Sequence, residues 1–310
     1  MHILVTGGAG FIGSHICEYL IMKNHKVRVF DNLSSGFMKN IEKLLENDNF
    51  EFVKGDISNI EDVKKACDNI DAICHQAAIG SVPRSILDPL NSHNSNINGF
   101  LNILLVAKEL GIKRVVYASS SSVYGDDKSF KKTEDVTGSL LSPYALTKYV
   151  DELYAKMFSR LYSMECIGLR YFNIFGPRQN PNGPYAAVIP KFITNIREGK
   201  ESIINGDGSF SRDFTYIDNA VLANYLALTT EKDTTFGKVF NIACGSRYTI
   251  LELFNIIKSE LKINCEPVFG SERIGDIPHS FADISKAKEL LDYYVRVNFE
   301  DGIKYTVEHF

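Results

Sequence analysis

Residues 3–13 read Ile3-Leu4-Val5-Thr6-Gly7-Gly8-Ala9-Gly10-Phe11-Ile12-Gly13. An apolar run closes at Thr6, glycines recur at positions 7, 10 and 13, and a helical pattern opens behind them. A strand, a glycine turn and a helix in that order make a phosphate cradle. The glycines let the chain turn tightly, approach a pyrophosphate and pack the helix close to the strand. The helix start adds free N–H groups and the positive end of its dipole. The stretch predicts a dinucleotide site at the head of an α/β unit.

The rest of the first half repeats that unit. Short apolar strand patterns fall at 3–6, 26–30, 50–53, 72–75, 114–118 and 167–170, with helical patterns at 12–22, 62–67, 97–110 and 144–162. Near-continuous apolar strands alternating with helices predict a parallel sheet covered on both faces, a doubly wound Rossmann fold. Asp31 ends the second strand, 18 positions past Gly13. A carboxylate there accepts hydrogen bonds from ribose hydroxyls and repels a 2′-phosphate, and no Arg occurs between Asn32 and Asn40, so NAD is expected over NADP. Asp56-Ile57 after the third strand is an expected adenine contact. Beyond residue 173 Pro and Gly cluster between Phe175 and Pro184, a loop, and helical patterns at 189–197, 251–261 and 286–291 mix with short extended runs. We expect residues 1–173, with 215–243, to form the dinucleotide domain and residues 174–310 mainly a smaller mixed α/β substrate domain.

Composition limits the partners. The chain has 310 residues, 45% hydrophobic and 23% charged, with a formal net charge of −4. That balance suits a globular protein and gives no positive field for nucleic acid or acidic lipid, so neither partner is expected. Cys17, Cys67, Cys74, Cys166, Cys244 and Cys265 include no C-x-x-C pair, which fits free thiols in a reducing compartment. No basic leader precedes the first strand and no apolar run reaches membrane-spanning length, so a cytoplasmic setting is expected.

Chemistry-bearing residues stand later. Ser142 and Pro143 mark a helix start, as N-cap and first helical position, and place Tyr144 and Lys148 on one face at i and i+4. A phenol is a weak base near neutrality, and a nearby ammonium favours its ionised form. The run Ser119-Ser120-Ser121-Ser122 follows the strand Val115-Val116-Tyr117-Ala118, which sets hydroxyls at the carboxyl end of the sheet. Glycine turn, serine and Tyr-x-x-x-Lys in this order point to hydride chemistry with a tyrosine base.

The chain resembles an extended short-chain dehydrogenase/reductase, and within it the nucleotide-sugar 4-epimerases, closest to UDP-N-acetylglucosamine 4-epimerase. The motifs that carry this are 7–13, Ser119–Gly125, Tyr144/Lys148, Arg170-Tyr171-Phe172-Asn173, Ser211-Arg212-Asp213-Phe214 and Arg273-Ile274-Gly275-Asp276. The resemblance implies a catalytic set of Ser120, Tyr144 and Lys148. For NAD it implies Gly7, Gly10, Phe11, Ile12, Gly13, Asp31, Asn32, Ser34, Ser35, Gly36, Asp56, Ile57, Gln76, Ala77, Ala78, Ser95, Tyr144, Lys148 and Phe172. For a UDP-sugar it implies Gly80, Ser81, Ser120, Tyr144, Asn173, Gln179, Ala187, Val188, Ile203, Asn205, Arg212, Arg273, Asp276 and Ser280. Asn173, Arg212 and Arg273 correspond to the family's diphosphate contacts. No metal is implied, and a homodimer through helices such as 97–110 and 144–162 is.

Related dehydratases carry Asp-Glu directly after the catalytic hydroxyl, and decarboxylases a Glu. Here Ser121 and Ser122 stand there, so elimination is disfavoured and C4 epimerisation through a transient 4-keto sugar is expected. Hexose-restricted relatives carry a Tyr two residues past the Pro of the Gly-Asp-x-Pro segment, where this chain has Ser280, and a Lys where it has Gly80. Room for an N-acetyl group follows, with UDP-GlcNAc/UDP-GalNAc preferred and UDP-Glc/UDP-Gal possible. Three alternatives stay open: a strict UDP-glucose 4-epimerase, a UDP-sugar oxidoreductase consuming external NAD(P)H, and a non-catalytic dinucleotide sensor.

Overall fold

Strands whose side chains are apolar on both sides must be covered twice, and the structure meets that demand. The computed structural model describes residues 1–182, 186–272 and 278–310. The first half contains β1 (His2–Thr6), β2 (Lys26–Asp31), β3 (Phe50–Lys54), β4 (Ala72–His75), β5 (Arg114–Ser120) and β6 (Glu165–Tyr171). Helices α1 (Phe11–Met22), α2 (Ile60–Ala66), α3 (Val82–Leu87), α4 (Pro89–His93), α5 (Gly99–Leu110) and α6 (Pro143–Tyr162) connect them. The second half holds β7 (Ile174–Phe175), α7 (Val188–Arg197), β8 (Ile203–Asn205), β9 (Ser211–Arg212), β10 (Thr215–Tyr216), α8 (Ile217–Thr229) and β11 (Lys238–Ile242). It ends with β12 (Tyr248–Thr249), α9 (Ile250–Leu261), β13 (Val268–Gly270), β14 (His279–Ser280), α10 (Ser285–Leu291) and α11 (Phe299–His309).

Seven strands form one parallel sheet in the order β11-β6-β5-β4-β1-β2-β3. Alternate residues of β1 serve opposite faces: Ile3 and Val5 join a core with Ile16, Leu20 and Ala220, whereas Leu4 joins another with Val63, Phe100 and Ile103. The chain runs from β1 outward to β3, then returns to β4 on the other side of β1. That reversal opens a crevice beyond the carboxyl ends of β1 and β4, where ligands of such sheets bind. No helix among the described residues is long and apolar enough to cross a membrane.

The sequence patterns placed the first six strands to within one or two residues. The helical pattern at 97–110 divides into a π-helical turn over Asn94–Asn98 and α5 proper. Helix α3, opened by residues 82–85, lies outside the helical patterns of the sequence. Helix α8 carries no amphipathic signature because it is buried nearly all round, from Ile217 and Ala220 to Asn219 and Asn224. Two small pairs, β7·β10 and β8·β13, and the three-stranded β12·β9·β14 all follow β6 in the chain.

One buried ion pair fastens the sheet to α6. Arg170 on β6 donates through Nε (2.8 Å) and Nη2 (2.7 Å) to Glu152 on α6, and through Nη1 to the Glu134 carbonyl. Its guanidinium lies 4.8 Å from the Tyr124 ring centroid. Both partners are buried, so removing one leaves the other uncompensated. Arg170→Ala should lose about 3–5 kcal/mol of stability in chemical denaturation, by that rule; a loss below about 1 kcal/mol, the scale of a surface pair, would contradict it.

Candidate active site

The crevice is a cleft of about 450 Å³. Its floor is the glycine turn. Gly7 has φ +67°, and a Cβ on Gly13 would stand 2.3 Å from the Gly7 carbonyl oxygen, so neither position tolerates a side chain without moving backbone. Gly10 caps α1 with no side-chain bond, which leaves the first N–H groups of the helix facing the cleft. Asp31 at the end of β2 accepts from Ala9 N (3.0 Å) and Leu33 N (2.8 Å). Burial pushes the Asp31 carboxyl above its usual range, and those two N–H groups pull it partly back. These residues suit a dinucleotide: a cradle that any Cβ would fill, a helix N-terminus, and a carboxylate at adenosine-ribose distance along the chain.

The wall holds most of the expected cofactor residues: Gly7, Gly10, Phe11, Ile12, Gly13, Asp31, Asn32, Ser34, Ser35, Gly36, Ile57, Gln76, Ala77, Ala78, Ser95, Tyr144 and Lys148. Two expected contacts lie off it. Asp56 is bonded to Asn32 Nδ2 (2.9 Å) and to Ser58. Burial works against the Asp56 charge, but these bonds outweigh it and hold the carboxyl below its usual range. Phe172 is fully buried, 5.9 Å from Tyr124 between ring centroids.

Helix α6 starts as its sequence predicts, with Pro143 at its head and Ser142 Oγ accepting from Ala145 N at 3.1 Å. Ser85 Oγ, wholly buried, accepts the Tyr144 N–H at 3.0 Å. Tyr144 and Lys148 both reach the cleft, and Lys148 is 1% exposed. Its Nζ stands 3.3 Å from Asp151 Oδ2. Burial pushes the Asp151 carboxyl up to about 7, with Lys148 acting against that rise. Opposite them His75 bonds Thr6 through Nδ1 (2.8 Å) and is driven down to about 3, by burial first and then by the Lys148 charge.

At the end of β5 the serines divide their work. Ser119 points into the protein and donates to Glu152 Oε1 at 2.5 Å. Ser120 is half-buried, shares the strand face of the cleft-lining Ala118, and accepts from Ser122 N (3.1 Å) and Ser122 Oγ (2.9 Å). Ser119 rather than Ser120 touches the cleft wall itself.

The expected substrate residues fall in several places. Gly80 and Ser81 line the cleft, and Ser81 has an unusual φ of 113° while capping α3. Asn173, Arg212 and Ser280 are brought together beyond β6: Asn173 Nδ2 donates to the Asp213 carbonyl (3.0 Å), and Arg212 pairs in register with Ser280. Gln179 donates to the Ile174 carbonyl (3.1 Å), and its buried Oε1 has no partner. Ala187 and Val188 open α7, and Ile203 and Asn205 bound β8. Arg273 and Asp276 lie outside the described residues.

Several cleft residues were not among the expected cofactor and substrate contacts, among them Ile79, Arg84, Ser119, Tyr171, Asn182 and Ala186. Asn96 is the most connected omission. Buried in the π-helical turn, it accepts from Ile79 N (2.8 Å) and donates to Thr147 Oγ1 (3.0 Å), tying the loop after β4 to the residue before Lys148. In the sequence it stands in the polar stretch Asn94-Ser95-Asn96, just ahead of the helical pattern, where nothing marks it as buried.

The sequence profile of the NAD dependent epimerase/dehydratase family matches residues 3–243. The chain belongs to that family of extended short-chain dehydrogenases, and its cofactor is NAD. It is 40% identical, with a TM-score of 0.94, to a UDP-N-acetylglucosamine 4-epimerase from Methanobrevibacter ruminantium M1 solved with UDP-N-acetylmuramic acid, covering 99% of this chain and 97% of that one. A UDP-glucuronic acid 4-epimerase from Bacillus cereus, solved with UDP-glucuronic acid and NAD, is 33% identical over 100% of this chain and 98% of that one, at a TM-score of 0.93. The UDP-glucose 4-epimerase of Mycolicibacterium smegmatis is 35% identical over 312 residues, 100% of this chain and 98% of the relative.

Gly13→Ala tests the cradle. The added methyl must displace the Gly7 carbonyl, and overpacking of about 1–3 kcal/mol corresponds to roughly a five- to 150-fold loss of NAD affinity by calorimetry. Unchanged affinity would contradict the geometry.

Proposed function

We propose that this enzyme inverts C4 of a UDP-sugar, with UDP-GlcNAc and UDP-GalNAc preferred and UDP-Glc and UDP-Gal accepted. One observation carries the reading: Tyr144 and Lys148 stand on the wall of the same cleft as the glycine turn. NAD, when bound, supplies a hydride acceptor that can return what it takes. Tyr144 receives the 4-OH proton and later gives it back, Lys148 supports its charge from the same helix face, and Ser120 orients the sugar oxygen. Asn173, Arg212 and Arg273 anchor the diphosphate while the 4-keto sugar presents its other face.

Support for epimerisation over elimination comes from the serine turn. Ser122 Oγ is bonded to Ser120 Oγ, so the position that bears an acid in dehydratases here steadies the catalytic hydroxyl. Space supports the N-acetyl preference. A Cβ on Gly80 would meet nothing within 4 Å, and Ser280 is small and half-buried beside Arg212. A roomy pocket admits the larger sugar and rejects the smaller one weakly.

The working unit in this proposal is a homodimer. Leu146, Leu153, Met157 and Leu161 recur at intervals of seven, four and four along α6, all about half exposed, and Leu105 of the adjoining α5 is exposed too. Exchanging that apolar face between two copies would bury it.

Two outcomes test the proposal. Incubation with UDP-GlcNAc should yield the anomeric proton signal of UDP-GalNAc without net change in nicotinamide absorbance. Tyr144→Phe should lose about 10²–10⁴-fold in turnover while NAD binding persists. Folded, NAD-loaded protein without product, or net nicotinamide consumption, would overturn the epimerase reading. For the dimer, Leu153→Glu with Met157→Glu should halve the mass seen by light scattering; an unaltered mass would place the interface elsewhere.

A further inference from the structure

Helix α6 carries a third polar residue on the face of Tyr144 and Lys148. Asp151 follows Tyr144 by two helical turns and Lys148 by one turn, and it is 1% exposed. One of its oxygens, Oδ2, lies 3.3 Å from Lys148 Nζ, while Oδ1 is buried with no hydrogen-bond partner. Half-bonded carboxylates are costly in such a place, and a neutral side chain would pack there more cheaply. A lone buried ammonium is equally costly. Each charge is tolerable because of the other.

The groups facing this pair make it a two-member unit. Glu152, next on the helix, is taken by Arg170 of β6 and by Ser119 of β5. Tyr117 of β5 is wholly buried, and its phenol is pushed far up, by burial first and also by Glu152 and Asp151. His75 of β4 is neutral, held down by burial and the Lys148 charge, so it does not compete for the proton. Lys148 is the one cation within ion-pairing distance of Asp151 among the described residues.

We propose, on the reading of Tyr144 and Lys148 given above, that Asp151 is a positioning residue: its carboxylate is the buried counter-charge that aims the Lys148 ammonium at Tyr144. The aim depends on one proton. Below neutrality Asp151 takes a proton from solution and becomes a neutral acid, which Asn imitates in shape and charge. Above it, the carboxylate forms and the ion pair holds Lys148 in line.

The test has two arms. Asp151→Asn holoenzyme should match the parent within about twofold in kcat at pH 6 and fall to about one-tenth at pH 8.5, with KM little changed, as expected for a charge-assisted bond worth about a factor of ten. A ratio of kcat values that stays flat across pH would overturn the proposal, even if the variant were less stable, because packing alone moves both ends equally. In the second arm, carboxyl-labelled protein is titrated by carbon NMR. Asp213 also titrates near pH 7; the carboxyl that is missing from Asp151→Asn should titrate there too, and in Lys148→Met it should titrate at higher pH. A resonance indifferent to Lys148 would refute the pairing. Asp151→Ala serves for the assignment should the Asn variant not fold. Absence of turnover in every form would sink the epimerase reading alone, since the titration needs no substrate.

Discussion

Gly13 stands where no side chain can, with the Gly7 carbonyl oxygen 2.3 Å from the place a Cβ would take. This contact lets α1 start directly behind β1 and aim its N-terminus along the crevice between β1 and β4. The parallel order of the sheet then follows from covering apolar strands on both faces, and the carboxyl ends of β1, β2, β4 and β5 arrive around one cleft. Asp31, His75 and the serine run are strand-end residues for that reason. Chemistry was placed at the crevice by topology before any side chain was chosen.

Beneath the cleft several buried polar groups are answered by a partner on a different element. Glu152 joins Ser119 of β5 to Arg170 of β6, and Asn96 joins the loop after β4 to α6. Asp213 accepts from Cys244 N, Gly245 N and Ala282 N, which gathers three segments of the second half beside Arg212. Burial pushes the Asp213 carboxyl up to about 7 against those bonds. Such networks fix geometry more than they add stability. A net charge of −4 coexists with a cradle of free backbone N–H groups at the start of α1.

Much of this was legible in the sequence because it rests on short-range rules. The glycine turn, the first six strands and the capped start of α6 each show in a handful of adjacent residues. Other features depend on partners far along the chain. Ser85 holds the Tyr144 N–H from 59 positions away, and Asn96 reaches Thr147 across 51. Helix α8 lacks a polar face, since its surroundings are core on nearly every side, so periodicity could not find it. The serine run was ambiguous for a similar reason. Only strand alternation in three dimensions separates Ser119, bonded inward to Glu152, from Ser120 on the face of Ala118.

The central claim is that this cleft removes hydride from C4 and returns it to the same carbon. Turnover of UDP-GlcNAc carrying deuterium at C4, in ordinary water, tests it most directly. The account predicts UDP-GalNAc with the deuterium still at C4, because the label stays on a cofactor that never leaves. Loss of the label to solvent, or its appearance on free nicotinamide, would contradict it.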